Sequence, residues 1–237
     1  MNFIYRCDMV KMTKFKRGLV LMIHIFTLPL TNISWTSTDE RLLPFVSLER
    51  KEKILRYRFS VDRKLSLYAA LLTRMELSKL IQIPAKELTF QSSTSLKPKL
   101  LSSQQCFFNF SHTHNFILCA ISNSAPLGVD TELICNAPLD LMDIAFHSVE
   151  KQYITSTPAL INQRFFKIWT QKEAYTKYLE VGLTAPIQNI NMLDPIFASH
   201  MISFIKGNYF CSIYSPVKNQ INVLHLKELD IFNYYLS

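Results

Sequence analysis

The sequence predicts an α+β protein made of two similar halves, each a small antiparallel sheet with helices. Three observations lead there. The order strand, helices, sheet and then helices and sheet again echoes itself about Ala125–Gly128. The strand-like runs in the middle of the chain are separated by connections short enough to be hairpin turns, which implies antiparallel pairing. An apolar content of 49% with 4 Gly and 10 Pro in 237 residues gives a folded chain with a sizeable core. The expected division is an N-terminal extension at 1–21, a first half at 22–125 and a second half at 126–237.

In the extension, Lys11, Lys14, Lys16 and Arg17 precede the apolar run Gly18–Leu30. This resembles a signal peptide, but no small-residue cleavage site follows and the run is short for a bilayer. The preferred reading is a first β-strand from Met22, with Met22 as the start of the functional chain. Ser47–Arg58 reads as a basic helix, for which a solvated surface is the ordinary explanation. Asp62 is the expected N-cap of a long helix whose stripe Leu65, Tyr68, Leu72 and Met75 faces a core. Pro84 ends this region. Leu88–Gln91 reads as a strand and 92–99 as a loop. Phe107–Ser111, Phe116–Ser122 and Leu127–Glu132 form an expected three-stranded meander. Residues 138–181 read as helices, with Ser148 capping one and Glu150 in its first turn. The last helix runs from near Asn162 to Gly182. Short apolar runs over 187–226 predict a second antiparallel sheet.

Net charge is +8, which favours an anionic partner. The five cysteines are odd in number and lack metal-ligand spacing, and Cys119 reads as a packed free thiol, so a reducing cytoplasm is expected. No basic run with interleaved aromatics and no zinc or helix-turn-helix signature points to nucleic acid.

Two patterns carry chemistry. Asp130 and Glu132, two apart on a strand, share one face with backbones roughly 6–7 Å apart. Glu173 and Lys177, four apart on a helix, do the same. Close carboxylates repel unless a cation lies between them or one is protonated. Mixed Asp and Glu oxygens suit Mg²⁺, which keeps several waters and binds substrate phosphates, with Lys177 reaching the phosphate. The same spacings also describe strand-edge acids in solvent and an ordinary surface Glu–Lys pair. His112, ending FNFSH, is a structural histidine or a phosphate ligand, and spacing leaves both open.

Four segments in one order bear a family likeness: LKPK at 96–99, FNFSH at 108–112, GVDTE at 128–132 and FFKIWTQKEAYTKYLEVGL at 165–183. Together they resemble the Sfp-type 4′-phosphopantetheinyl transferases, whose pattern is G-K-P, F-N-hydrophobic-S-H, G-[IV]-D-hydrophobic-E and W-x-x-K-E-[AS]-x-x-K. The likeness spans about 22–226 and is sharp over 96–183. It implies a monomeric pseudo-dimer of two α+β halves with the active site in the cleft between them. It implies an enzyme that moves the phosphopantetheine arm of coenzyme A onto a serine of an acyl or peptidyl carrier protein, releasing adenosine 3′,5′-bisphosphate. It assigns Asp130, Glu132 and Glu173 to Mg²⁺, and Lys177 to the coenzyme A phosphates near the reaction centre. Ser111 and His112 fall to the 3′-phosphate region, Lys97 and Pro98 to the loop beside adenine, and Arg50 and Lys53 to further phosphates. Glu150 matches a proposed base; Glu173 and a metal-bound hydroxide are the other candidates. The sequence departs at Leu96, where the family has glycine, and at Leu65, where it has arginine next to Arg63 and Lys64 here. It departs again in the turn Ser111-His112-Thr113-His114, where the family has S-H-S-G. These departures motivate the alternative of a non-catalytic homologue that binds coenzyme A or a carrier.

Overall fold

The computed structural model describes residues 21–91, 98–102, 104–182 and 186–237; residues 1–20, Leu96 and Lys97 lie outside the described residues. Strand β1 (Met22–Pro29) is apolar on both faces and is buried on both: Ile23 and Ile25 serve one core, Phe26 and Leu28 another. After α1 (Ser37–Leu42), Ser47 caps α2 (Leu48–Arg56) by accepting from the Arg50 amide at 3.3 Å. The long helix α3 (Ser60–Ile81) buries the whole predicted stripe. It starts two residues before the expected cap: Phe59 occupies the N-cap position, and Asp62 lies in the first turn, facing the positive helix end. Gln82, in the left-handed region at φ 58°, ends it.

Strands β2 (Thr89–Gln91) and β3 (Lys99–Leu101) make a separate ribbon. Strands β4 (Phe107–Thr113) and β5 (Phe116–Ser122) form a hairpin whose turn is His114–Asn115. The three-stranded meander is not formed. The far edge of β5 is taken by β1, and β6 (Gly128–Leu133) crosses to a second sheet. Helices α4 (Met142–Ala145), α5 (Ser148–Thr155), α6 (Ile161–Leu179) and α7 (Pro195–Ala198) follow. His147, rather than Ser148, is the N-cap of α5, accepting from the Val149 amide. Strands β7 (Met201–Lys206) and β8 (Tyr209–Tyr214) complete the second sheet in the order β6-β8-β7.

The tail departs from expectation. Ile187–Asn189 is a single helical turn, not a strand. Strand β9 (Gln220–His225) returns to the first sheet, parallel to β1, giving β4-β5-β1-β9. Helix α8 (Glu228–Leu236) then docks on α3, where the Tyr235 hydroxyl donates to the Leu71 carbonyl and that of Tyr234 to Ser78 Oγ, both at 2.8 Å. The end of the second half thus clasps the first.

The two sheets meet through a shared core. Ile23, Ile25, Phe116, Leu118 and Ala120 of one pack against Leu127, Val129, Cys211 and Ile213 of the other. The molecule is therefore mixed α+β, with two sheets that share an apolar seam. Cys119 is buried and free, as expected, and burial pushes its thiol up to about 12. Among the described residues no helix is long and apolar enough to cross a membrane.

Candidate active site

Gly128 sets the approach of helix to strand. A Cβ there would lie 1.8 Å from the Ala174 carbonyl oxygen and 2.5 Å from the Tyr178 amide nitrogen. The backbone of α6 therefore rests directly on β6, which only glycine permits. That contact brings the second half of α6 over the acids of β6. Lys177 Nζ stands 2.6 Å from Asp130 Oδ1 and donates to Ser111 Oγ at 3.0 Å. Ser111 Oγ donates to the same Asp130 oxygen at 2.9 Å. Thr113 Oγ1 donates to Glu132 Oε2 at 3.1 Å.

Three carboxyls feel one another here. Glu132 is pushed up to about 7 by burial and by the charge of Asp130, against the opposing pull of Thr113 and Lys177. Glu173 is also pushed up to about 7, by burial and then by Asp130, with Lys177 opposing and Glu132 adding. Asp130 is 3% exposed, and its Oδ2 is buried with no hydrogen-bond partner among the described residues. Among the described residues, however, no three acidic, histidine or cysteine side chains are drawn together at ligand distance. The expected ligand set is therefore not closed, and the Lys177 ammonium pairs with Asp130 instead. An all-oxygen donor set with a buried orphan oxygen on Asp130 fits a hard divalent cation.

The cationic side of the site lies across β4. His112 is pulled down to about 4 by burial first, then by the charges of Arg50, Lys177 and Lys53. Three basic side chains, Arg50 and Lys53 of α2 and Lys177 of α6, thus act on one imidazole. Arg50 lies 5.5 Å over the Phe110 ring and donates to the Ser66 carbonyl at 3.1 Å, while its Nε is buried without a partner among the described residues. Basic side chains beside a buried guanidinium donor left without a partner among the described residues suit an anion. Pro98 is exposed at the start of β3. Its neighbour Lys99 pairs with Glu180, just past the end of α6, at 3.3 Å.

Glu150 does not join this group. It is fully buried and ion-paired to Lys172 at 2.8 Å. One of its oxygens also accepts from the His147 amide, and the other from the Met192 amide at 2.6 Å. Both of its oxygens are therefore engaged inside the fold, away from the acid cluster around Lys177. The departures resolve similarly. Leu65 is core, Arg63 donates to the Tyr57 carbonyl at 2.7 Å, and buried Lys64 pairs with Asp39 and Glu228. All three are engaged inside the fold. His114 adopts φ 52°, so the turn keeps the left-handed bend that a glycine would supply.

Sequence reasoning missed two residues that build the site. Lys172, inside the W-x-x-K-E pattern, is 1% exposed and donates to the carbonyls of Ile187 and Ile190, pinning the following loop under α6. Gly128 is one of only four glycines, and its place directly before an acidic strand pair was the available signal.

Comparison with known proteins agrees. Residues 33–124 match the family model "4′-phosphopantetheinyl transferase, N-terminal", and residues 126–227 match "4′-phosphopantetheinyl transferase superfamily". The chain is 29% identical over 211 residues to the 4′-phosphopantetheinyl transferase gsp of Aneurinibacillus migulanus, covering 81% of this chain and 86% of that one. It is 29% identical over 157 residues to psf-1 of Bacillus pumilus, covering 66% and 67%, and 25% identical over 155 residues to Sfp of Bacillus subtilis, covering 65% and 69%. With the two models matching 33–124 and 126–227 in tandem, the chain belongs to the 4′-phosphopantetheinyl transferase superfamily.

Proposed function

We propose that this enzyme transfers the 4′-phosphopantetheine group of coenzyme A to a serine of an apo acyl or peptidyl carrier protein, with Mg²⁺, releasing adenosine 3′,5′-bisphosphate. The supporting observation is the convergence of two opposite clusters at the end of β4: acids around Lys177 on one side, cations around His112 on the other. Arg50, Lys53 and His112 would hold the terminal phosphate of the nucleotide. The unpartnered Nε of Arg50 offers a charge-assisted bond of the kind phosphate takes.

Asp130, Glu132 and Glu173 would hold Mg²⁺, which when bound offsets the negative charge of the diphosphate oxygens. Lys177, already at the acid cluster, supplies a positive charge where the leaving phosphate develops negative charge. It orients Ser111 through the same ammonium. The carrier serine attacks the pantetheine-side phosphorus, and its proton leaves to Glu173 or to solvent, since Glu150 has no free oxygen. The basic balance of the chain, +8, steers an acidic carrier toward the site. We propose a monomer acting in the cytoplasm.

Incubation with coenzyme A, Mg²⁺ and a panel of apo carriers, followed by intact-mass measurement, tests this. Gain of one phosphopantetheine mass by a carrier supports it; failure of every carrier, with the enzyme folded, counts against it.

A further inference from the structure

Strands β4 and β6 are edges of different sheets. They share no backbone ladder, yet they run side by side in the same direction. What joins them is a series of side chains from one face of β4. Asn109 Oδ1 accepts from the Val129 amide at 3.1 Å. Ser111 Oγ donates to Asp130 at 2.9 Å and Thr113 Oγ1 donates to Glu132 at 3.1 Å. Residues two apart on a strand face one way, so the pattern Asn-x-Ser-x-Thr presents three polar groups at strand spacing. Beyond the third, the turn is itself fixed. The Tyr209 ring stacks on Phe116 with centroids 4.5 Å apart, and its hydroxyl donates to Asn115 Oδ1.

We infer that Asn109, Ser111 and Thr113 form a side-chain ladder that registers the two halves, and that Thr113 is a positioning residue fixing Glu132 for the cation. The inference rests on the proposed Mg²⁺ reading. Thr113 has one hydroxyl proton. That proton goes to Glu132, and the same oxygen lies 3.1 Å from His114 Nδ1. The hydroxyl is thus held from both sides. Asn109 satisfies a β6 amide that would otherwise sit unpaired at the sheet edge.

The test is Mn²⁺ binding to the full chain, read by electron paramagnetic resonance, for wild type, Thr113→Val and Thr113→Ser. Loss of an outer hydrogen bond to a ligand weakens metal binding on the order of 10-fold. Thr113→Val is expected to weaken Mn²⁺ binding by about that factor with the fold retained, and Thr113→Ser to restore it. Equal binding by Thr113→Val and wild type, or a serine variant as weak as the valine one, overturns the assignment. Should wild type bind no Mn²⁺, the cation reading fails, and the ladder is then decided by amide exchange at Val129. Faster exchange there in Asn109→Ala, or in Asn109→Ser if the alanine variant does not fold, supports the ladder; unchanged exchange overturns it.

Discussion

Lys172 and Glu150 form an ion pair at 2.8 Å from which solvent is excluded, with side chains 1% and 0% exposed. The pair ties α6, which carries Glu173 and Lys177, to α5 and to the loop at 187–192. Removing one partner of a buried pair leaves an uncompensated charge. Glu150→Ala should therefore cost about 3–5 kcal/mol of stability, measured by urea unfolding. Glu150→Gln should be destabilised too, but below its midpoint it should keep transferase turnover near wild type. A stable Glu150→Gln protein with abolished turnover would return Glu150 to the chemistry.

Gly128 gives the second prediction. A methyl group 1.8 Å from a helix carbonyl cannot be absorbed by a side-chain rotation, because both atoms are backbone. Gly128→Ala should push α6 off β6, at a cost of at least about 1–3 kcal/mol. It should also separate Lys177 from Asp130, so that activity falls further than stability accounts for. Thermal melting and steady-state kinetics on the same sample check both parts.

His112 yields a pH prediction. Its ordinary value is 6.5, and in the fold it is held at about 4. Between those values the unfolded chain binds a proton at His112 that the folded chain refuses, so the contribution of His112 to stability falls as the pH drops from 6.5 to 4, opposite in sign to those of Glu132 and Glu173. His112→Asn should flatten that limb of the stability profile. In the wild type, nuclear magnetic resonance titration of the imidazole should give a midpoint near 4. Added adenosine 3′,5′-bisphosphate should raise the midpoint, since an anion favours the imidazolium. A midpoint indifferent to the bisphosphate would remove His112 from the anion site.

Much of this architecture was legible in the sequence, for physical reasons that also mark where reading stopped. Strand β1, the β4–β5 hairpin and α6 have strong local patterns and short connections, and they form where expected. Strand β9 carries the same kind of pattern, but its partner is β1, nearly two hundred residues away. Alternation marks a strand without naming its neighbour, so the pattern of 220–225 predicts the strand but not its place beside β1. The cap errors at Asp62 and Ser148 are shifts of one to three residues, within reach of a backbone that can begin a helix on Phe59 or His147.

The site divides the same way. Motif likeness gathered Asp130, Glu132, Glu173, Lys177, Ser111, His112, Arg50 and Lys53, and the fold brings them to one end of β4. It could not separate Glu150 from them, because burial and hydrogen-bond partners decide whether a carboxylate is chemical or structural. Nor could it give Lys172 a role, since its partners at Glu150, Ile187 and Ile190 are scattered along the chain. Lys97 lies outside the described residues, and its assignment stays with the motif.

The most direct measurement of the central claim is the release of adenosine 3′,5′-bisphosphate alongside carrier modification, in wild type and in Asp130→Ala. Asp130 is the residue that Lys177 and Ser111 both hold. The account predicts one bisphosphate per carrier modified by wild type, loss of both on chelation of divalent cations, and a fall of about 100-fold or more in Asp130→Ala with the fold retained. Turnover by a folded Asp130→Ala protein at the wild-type rate, or carrier modification indifferent to chelation, would contradict it.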